Sequence, residues 1–298
     1  MSIKTNMRIG IWNVSYRKHN ETTWRPLPCV KDFWYADPML FNRKDRKFLF
    51  LEAFDEKKQI GKIAVSEYKN NYFEVPKVVL QRPYHLSYPS VFEWKNKIYM
   101  LPESSQNRTM ELYVAEDNDL VNWRKKCVLL DHVRYVDTTV VSDKDGMILY
   151  AYEEFEKKYV THIMKLDIDK EKVYEIGRTE SLKNNERPAG NIFEYQAKKY
   201  RPLQVSSRCY GESITIREYS EPLLEREKDV YSITPCSLHK DGIVKNALRT
   251  HTLAYDRDIE VIDYLTEYDS WKNIFRNFLR RGRNGFFKIR ARIQRCKN

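Results

Sequence analysis

The chain has 298 residues, 42% of them hydrophobic and 13% aromatic, with 21 tyrosines; that is enough apolar material for one large repeat domain or two ordinary ones. Its start, Met1-Ser2-Ile3-Lys4-Thr5-Asn6, has no apolar leader core, and no run approaches the roughly eighteen apolar residues of a membrane span, so secretion and membrane crossing are not expected. The net charge of +11 is a property of the tail: ten of the 53 cationic residues fall in 270–298, which carries no acid, leaving 43 cationic against 42 acidic residues elsewhere, and a neutral body without a recognition motif argues against nucleic acid.

The five cysteines (Cys29, Cys127, Cys209, Cys236, Cys296) are scattered and never form a C-x-x-C pair, as expected of free thiols in a reducing cytoplasm. In chain order, residues 7–14 read as a strand, and a loop through Pro26 and Pro28 leads to the first full pattern. Trp34-Tyr35-Ala36-Asp37-Pro38-Met39-Leu40-Phe41 is a short apolar strand with an acidic residue near its start; after a polar turn a second apolar strand runs from Lys47 to Phe54. The pattern returns at Tyr88, Asp137, Ala189 and His251, at separations of 51, 49, 52 and 62 residues. Short strands and polar turns repeating near fifty residues predict a β-propeller with one blade per repeat.

Third strands are expected at 61–68, 109–116, 160–167 and 212–219, and fourth strands near 77–80, 125–130, 172–177 and 224–231. Residues 178–186 read as a connection and 232–247 as an irregular crossing into blade five, with few convincing helices in the body. Blade five lacks outer strands after Asp263, so the 7–14 strand is the natural piece to complete it and remove the open edge. The expectation is an all-β, five-bladed β-propeller over 1–269 and a basic amphipathic C-terminal tail over 270–298.

In the tail, Trp271, Ile274, Phe275, Phe278 and Leu279 fall on one helical face, with Lys272, Arg276, Arg280 and Arg281 largely off it. Such a helix suits an anionic membrane interface, each cation contributing about 1 kcal/mol before screening; packing of the same stripe on the propeller is the alternative. A cytoplasmic protein held peripherally on the inner face of the membrane through Trp271, Phe275, Phe278, Arg280 and Arg281 is the expectation.

In a propeller, residues opening first strands and closing second strands converge on one mouth. Here they are Asp37, Tyr88, Asp137, Arg187 and His251 from first strands, with Glu52, Glu103, Glu153 and Gln204 from second strands. Carboxylates, an arginine, a histidine and aromatics suit a polyhydroxylated ligand, with one carboxylate as base and another as acid, although Asp37 and Asp137 could also simply cap turns. Arg187 could bind a carboxylate or phosphate or brace a loop; Arg208 and Tyr210 follow blade four's second strand and His85 precedes Tyr88, each with a role at the ligand or a structural one. No P-loop, dinucleotide fingerprint or zinc spacing is present, so no cofactor is expected, and a structural cation on the axis is left without a supporting ligand set.

The Ala36-Asp37-Pro38 segment resembles the five-bladed propellers of glycoside hydrolase family 43, in which that Asp is the general base. A closer resemblance is to the propeller domain at the N-terminus of plant glucosamine inositolphosphorylceramide transferase and its bacterial relatives in surface-polysaccharide synthesis. It rests on Arg8-Ile9-Gly10-Ile11, Tyr35-Ala36-Asp37-Pro38, Gly61-Lys62-Ile63-Ala64, His85-Leu86-Ser87-Tyr88-Pro89-Ser90-Val91-Phe92-Glu93, Met100-Leu101-Pro102-Glu103-Ser104, Tyr135-Val136-Asp137, Arg187-Pro188-Ala189-Gly190, Tyr200-Arg201-Pro202-Leu203-Gln204 and Tyr210-Gly211, spanning roughly 8–263. Against the hydrolases, Tyr88 stands where blade two would open on Asp, and Arg187-Pro188-Ala189-Gly190 where blade four would carry the acid Glu.

The resemblance implies a glycosyltransferase of surface polysaccharide or glycolipid synthesis. It would take a phosphate-activated sugar donor and a glycan or lipid-linked acceptor, with Asp37 as base, Glu103 and Asp137 on sugar hydroxyls, and Arg187 and Arg208 on donor phosphate. A glycoside hydrolase with Asp37 as base and Glu103 as relocated acid is the alternative, and a non-catalytic glycan-binding module a third.

Overall fold

The computed structural model describes residues 8–269 except 144–145, 156–157, 221, 241 and 243–246. The chain divides into two compact units, Trp12–Leu265 and the termini 1–11 with 266–298; of the latter only the strand ends 8–11 and 266–269 are described. The expected tail helix, with Trp271, Phe275, Phe278, Arg280 and Arg281, lies outside the described residues, as does the boundary at 270.

Five antiparallel sheets make the expected five-bladed propeller. Blade one runs Phe33–Arg43, Arg46–Asp55 and Ile60–Lys69, with short outer pieces Tyr72–Phe73 and Lys77–Leu80. Blade two is Ser87–Trp94, Lys97–Ser104, Thr109–Ala115 and Trp123–Asp131; blade three is Val136–Asp143, Gly146–Phe155, Lys158–Asp167 and Lys172–Ser181. Blade four has Arg187–Pro188, Lys198–Val205, Ser213–Glu218 and Lys228–Ile233, with Phe193–Tyr195 also paired to its second strand. In blade five, Leu253–Tyr255 and Ile259–Asp269 are completed by the N-terminal strand Arg8–Lys18 and by Arg25–Pro26. Ser15 Oγ lies 3.0 Å from Tyr264 OH, and Arg17 Nε donates to Glu260 Oε1 at 2.5 Å across this closure.

Alternation builds the core. In blade one's second strand Phe48 and Phe50 pack into a cluster with Met100, Tyr113 and Trp123 of blade two. Leu49 and Leu51 point the other way, into a cluster with Ala254 and Val261 of blade five. Both faces are therefore buried, which is why this strand reads as a continuous apolar run. The same division recurs between blades two and three, three and four, and four and five.

Three expectations are corrected. Blade three's outer strand runs on to Ser181, into the expected connection 178–186, because residues 178–181 pair with Tyr159–His162. The crossing 232–247 contains a short helix, Pro235–Lys240, whose start is closed by reciprocal bonds: Ser237 N donates to Thr234 Oγ1 (3.2 Å) and Thr234 N to Ser237 Oγ (2.9 Å). Blade four's outer strand begins at Lys228 rather than near 224, because Glu227 turns inward to receive Arg201 Nε at 3.0 Å and Nη2 at 2.6 Å. The four described cysteines are free, and among the described residues no helix is long and apolar enough to cross a membrane.

Candidate active site at the axial mouth

Three blades present their site residues through the same backbone device. Pairing runs Ala36 with Glu52 and then Met39 with Phe50; Ser87 with Glu103 and then Ser90 with Leu101; Val136 with Tyr152 and then Thr139 with Tyr150. Each first strand thus carries one extra residue, a β-bulge. The residue at each bulge is left-handed: Asp37 at φ 50°, Tyr88 at φ 43° and Asp137 at φ 46°. A non-glycine residue there costs about 1–2 kcal/mol, and threefold recurrence at one end of the axis marks a place where side-chain direction outweighs backbone ease.

The carboxylates gather there. Asp37 is 5% exposed; Oδ2 accepts from Tyr88 N at 3.2 Å, and Oδ1 from Thr252 Oγ1 at 3.0 Å, with His251 Nε2 3.4 Å from the same oxygen. Burial pushes its carboxyl up to about 6, the His251 charge opposing and the Asp137 and Asp263 charges reinforcing. Asp137 Oδ2 receives Arg187 Nε, and Gln204 Nε2 at 3.1 Å. Glu103 spans the next gap, its Oε2 accepting Asp137 N (3.2 Å) and its Oε1 accepting Ser105 Oγ (2.5 Å). Burial and the adjacent Asp137 charge push Glu103 up to about 8 against the pull of Arg187, so it carries a proton at neutral pH. Glu52 is likewise raised by burial and by its acidic neighbours.

Beside the cluster, His85 accepts Gly61 N at Nδ1 (3.0 Å), which leaves its proton on Nε2, 3.3 Å from Glu52 Oε1. Burial lowers its pKa and keeps the ring neutral. Gly61 has no room for a side chain, since a Cβ would stand 2.5 Å from Leu86 O and 2.7 Å from Glu52 Oε1. Tyr210 is 42% exposed, with the Arg187 guanidinium 5.3 Å from its ring centre. A cleft of about 600 Å³ opens alongside, and His85 and Arg187 line it.

Asp37, Glu52, Glu103, Asp137, Arg187, Tyr210 and His251 therefore come together, while several expected roles shift. Tyr88 is wholly buried; its hydroxyl accepts Gly190 N at 2.7 Å and lies 2.8 Å from Thr139 Oγ1, tying blade two to blades three and four rather than meeting a ligand. Gln204 is also fully buried and orients Asp137. Arg208 stands apart, exposed and held by Glu212 with Nε to Oε1 at 2.7 Å, so it does not reach the cluster. Glu153 points away to His162 at 3.2 Å; the residue paired as Glu52 and Glu103 are in blades one and two is Tyr152.

Asp263 and Trp12 were not foreseen. Asp263 is fully buried, its Oδ1 accepting His251 N (3.0 Å) and Thr252 N (2.9 Å), its Oδ2 accepting Asp37 N (3.1 Å). His251 Nδ1 lies 2.7 Å from that Oδ2 as a close contact rather than an aligned hydrogen bond. Asp263 closes the last second strand in the recurring pattern, a signal that pointed to it. Trp12 stacks on His251 at 4.0 Å and 24°; only the ring closure brings it there. Asp37, His251 and Asp263 offer ligand atoms within 4.8 Å of one another, a grouping that could hold a metal ion.

Among solved structures, the propeller resembles the Bacillus subtilis arabinanase Arb43A (TM-score 0.52, 11% identity, 80% of this chain and 94% of that one). It also resembles the RS223 β-xylosidase (TM-score 0.53, 15% identity, 78% and 92%). At these identities the likeness concerns the fold alone. Sequence relatives are "Glucosamine inositolphosphorylceramide transferase 1" of Oryza sativa, 28% identical over 210 residues, and of Arabidopsis thaliana, 27% identical over 226 residues. The matches cover 65% and 71% of this chain but only 27% and 28% of those proteins, so the chain spans about a quarter of the length of the curated relatives it matches. Residues 28–257, which span blades one to four and the start of blade five with the three bulges, match the family model for the N-terminal part of these proteins, and the chain belongs to that family, glucosamine inositolphosphorylceramide transferase 1, N-terminal.

Proposed function

We propose that the chain acts on sugars at the axial mouth, transferring a sugar from a phosphate-activated donor to a glycan or lipid-linked acceptor. The observation that carries the reading is Arg187, a guanidinium bonded to Asp137 where the resembled hydrolases place their acid. A phosphate leaves as an anion and is stabilised by a cation rather than by a proton donor. Asp37, ionised above about pH 6, is the base for the acceptor hydroxyl once the acceptor displaces one of its donors; Glu103, protonated below about pH 8, and Asp137 hold sugar hydroxyls. The relatives are named for transfer to inositolphosphorylceramide, a lipid acceptor that itself carries phosphate. Membrane attachment of the 270–298 tail belongs to this reading and is tested by liposome flotation with and without it; equal flotation removes it.

The test is donor consumption with a panel of sugar nucleotides. Arg187→Ala is expected to weaken donor binding and Asp37→Asn to abolish turnover; full turnover by Asp37→Asn removes the base assignment. One observation favours a second reading: Glu103, protonated at neutral pH, could serve as the acid of a hydrolase. Release from an aryl glycoside, lost in Glu103→Gln, selects hydrolysis. Glycan binding without either reaction selects a binding module.

A further inference from the structure

Two arginines that take no part in the carboxylate cluster share a cleft with one that does. Arg108 ends the 3-10 turn Ser105–Asn107 in a left-handed conformation (φ 61°), its N–H donating to Ser105 O at 3.0 Å. Its carbonyl accepts Val133 N at 3.0 Å, which fixes Arg134, the next residue, beside it. Arg108 and Arg134 are exposed, and neither side chain has an acidic partner or a hydrogen bond among the described residues. Both line the cleft of about 600 Å³ that Arg187 and His85 also line, with Tyr152 on its wall and Glu154 as the opposing charge.

Several arginines elsewhere are ion-paired, Arg46 with Glu67 and Asp119, Arg208 with Glu212, and Arg217 with Glu186 and Asp229. Arg226 and Arg257 are exposed without a described side-chain partner too, so what distinguishes Arg108 and Arg134 is that they line one cleft together with Arg187. Three guanidiniums against the single carboxylate of Glu154 leave the concavity net positive, which favours an anionic ligand there. The volume falls in the range of small-molecule sites, and guanidinium forks match phosphate oxygens two at a time.

We infer that the Arg108–Arg134–Arg187 cleft is a phosphate-binding subsite that takes the diphosphate or phosphodiester of the sugar-bearing ligand. Arg187 joins it to the reacting centre: Nε is engaged by Asp137, while its two terminal nitrogens make no hydrogen bond to the described residues and are free for phosphate. Identifying the ligand as sugar-bearing rests on the function proposed above; anion binding does not, and it is measured without any sugar.

The test is calorimetric titration of the full chain with uridine diphosphate, inorganic pyrophosphate and glycerophosphoglycerol, the last standing for a lipid headgroup. The expected result is binding of at least one of them at millimolar or tighter affinity. It should weaken about tenfold or more in Arg108→Ala/Arg134→Ala and by a smaller factor in Arg108→Lys/Arg134→Lys, which keeps the charge but loses the fork, with melting temperatures unchanged. Preference for the soluble diphosphates assigns a soluble donor, and preference for the diester assigns a lipid-borne phosphate; both support the subsite. No binding by the unaltered chain, or binding equal in the alanine variant, overturns it. The single exposed substitution Arg134→Glu, which removes no described contact, repeats the test should the double variant melt early. Phosphate binding without sugar turnover would overturn the transfer reading and leave the subsite standing.

Discussion

Glu103 and Asp37 are carboxyl groups in one cluster whose protons come off at different pH. With Asp37 ionised above about 6 and Glu103 protonated below about 8, activity needing both is expected to follow a bell with limbs near those values. Glu103→Gln should abolish the alkaline limb in a plot of kcat/KM against pH. The same group predicts a stability trend. A carboxyl whose folded pKa is raised contributes stability that is full below the ordinary carboxylate range and lost as pH rises through the folded value. The protein should therefore melt lower at pH 8.5 than at pH 5, and the slope should shrink in Glu103→Gln; an unchanged slope would show that Glu103 is not the group concerned. Asp37, Glu103 and Asp137 were legible because strand ends recurring at a fixed period in a propeller must converge. Tyr88 was misjudged, because the direction of a left-handed residue depends on its rotamer and its neighbours. Its side chain found Thr139 and Gly190 in the core.

At the scale of the element, the bulged first strand is the working part, and blade four builds it differently. Gly190 has φ 134°, and a Cβ there would stand 2.0 Å from Leu253 O, so blade four can lie against blade five only with no side chain at this point. Gly190→Ala is expected to cost more than about 3 kcal/mol in urea denaturation or to prevent folding, as overpacking combined with backbone strain does. Tyr88→Phe leaves the Gly190 N–H without its 2.7 Å acceptor and should cost about 1–3 kcal/mol in the same assay. Second strands were easily read, because doubly buried apolar runs such as Phe48–Leu51 occur in each of the first blades. Register was harder. In blade three the mouth position is Tyr152, fifteen residues after Asp137 as Glu52 and Glu103 follow Asp37 and Tyr88; the spacing marks it, whereas the neighbouring acid Glu153 drew the assignment one residue too far.

For the whole molecule, the ring closes because the first described strand joins the last sheet. That was readable from the missing outer strands after Asp263, and the contacts of Ser15 with Tyr264 and of Arg17 with Glu260 bear it out. Removing residues 1–19 should therefore unfold the domain cooperatively rather than trim it, as seen by loss of the thermal transition; a truncated chain melting at the parent temperature would contradict a closed ring. Closure also lays Trp12 flat on His251, 4.0 Å away, beside the buried Asp263. An indole excited next to an imidazolium loses its emission by electron transfer. Because the Asp263 and Asp37 charges outweigh burial and raise the histidine's pKa, the ring stays charged beyond its ordinary midpoint. The protein thus carries its own lamp at the candidate site. Fluorescence should brighten as alkali strips that proton and shift again when a ligand settles beside it, and both signals should vanish in Trp12→Phe.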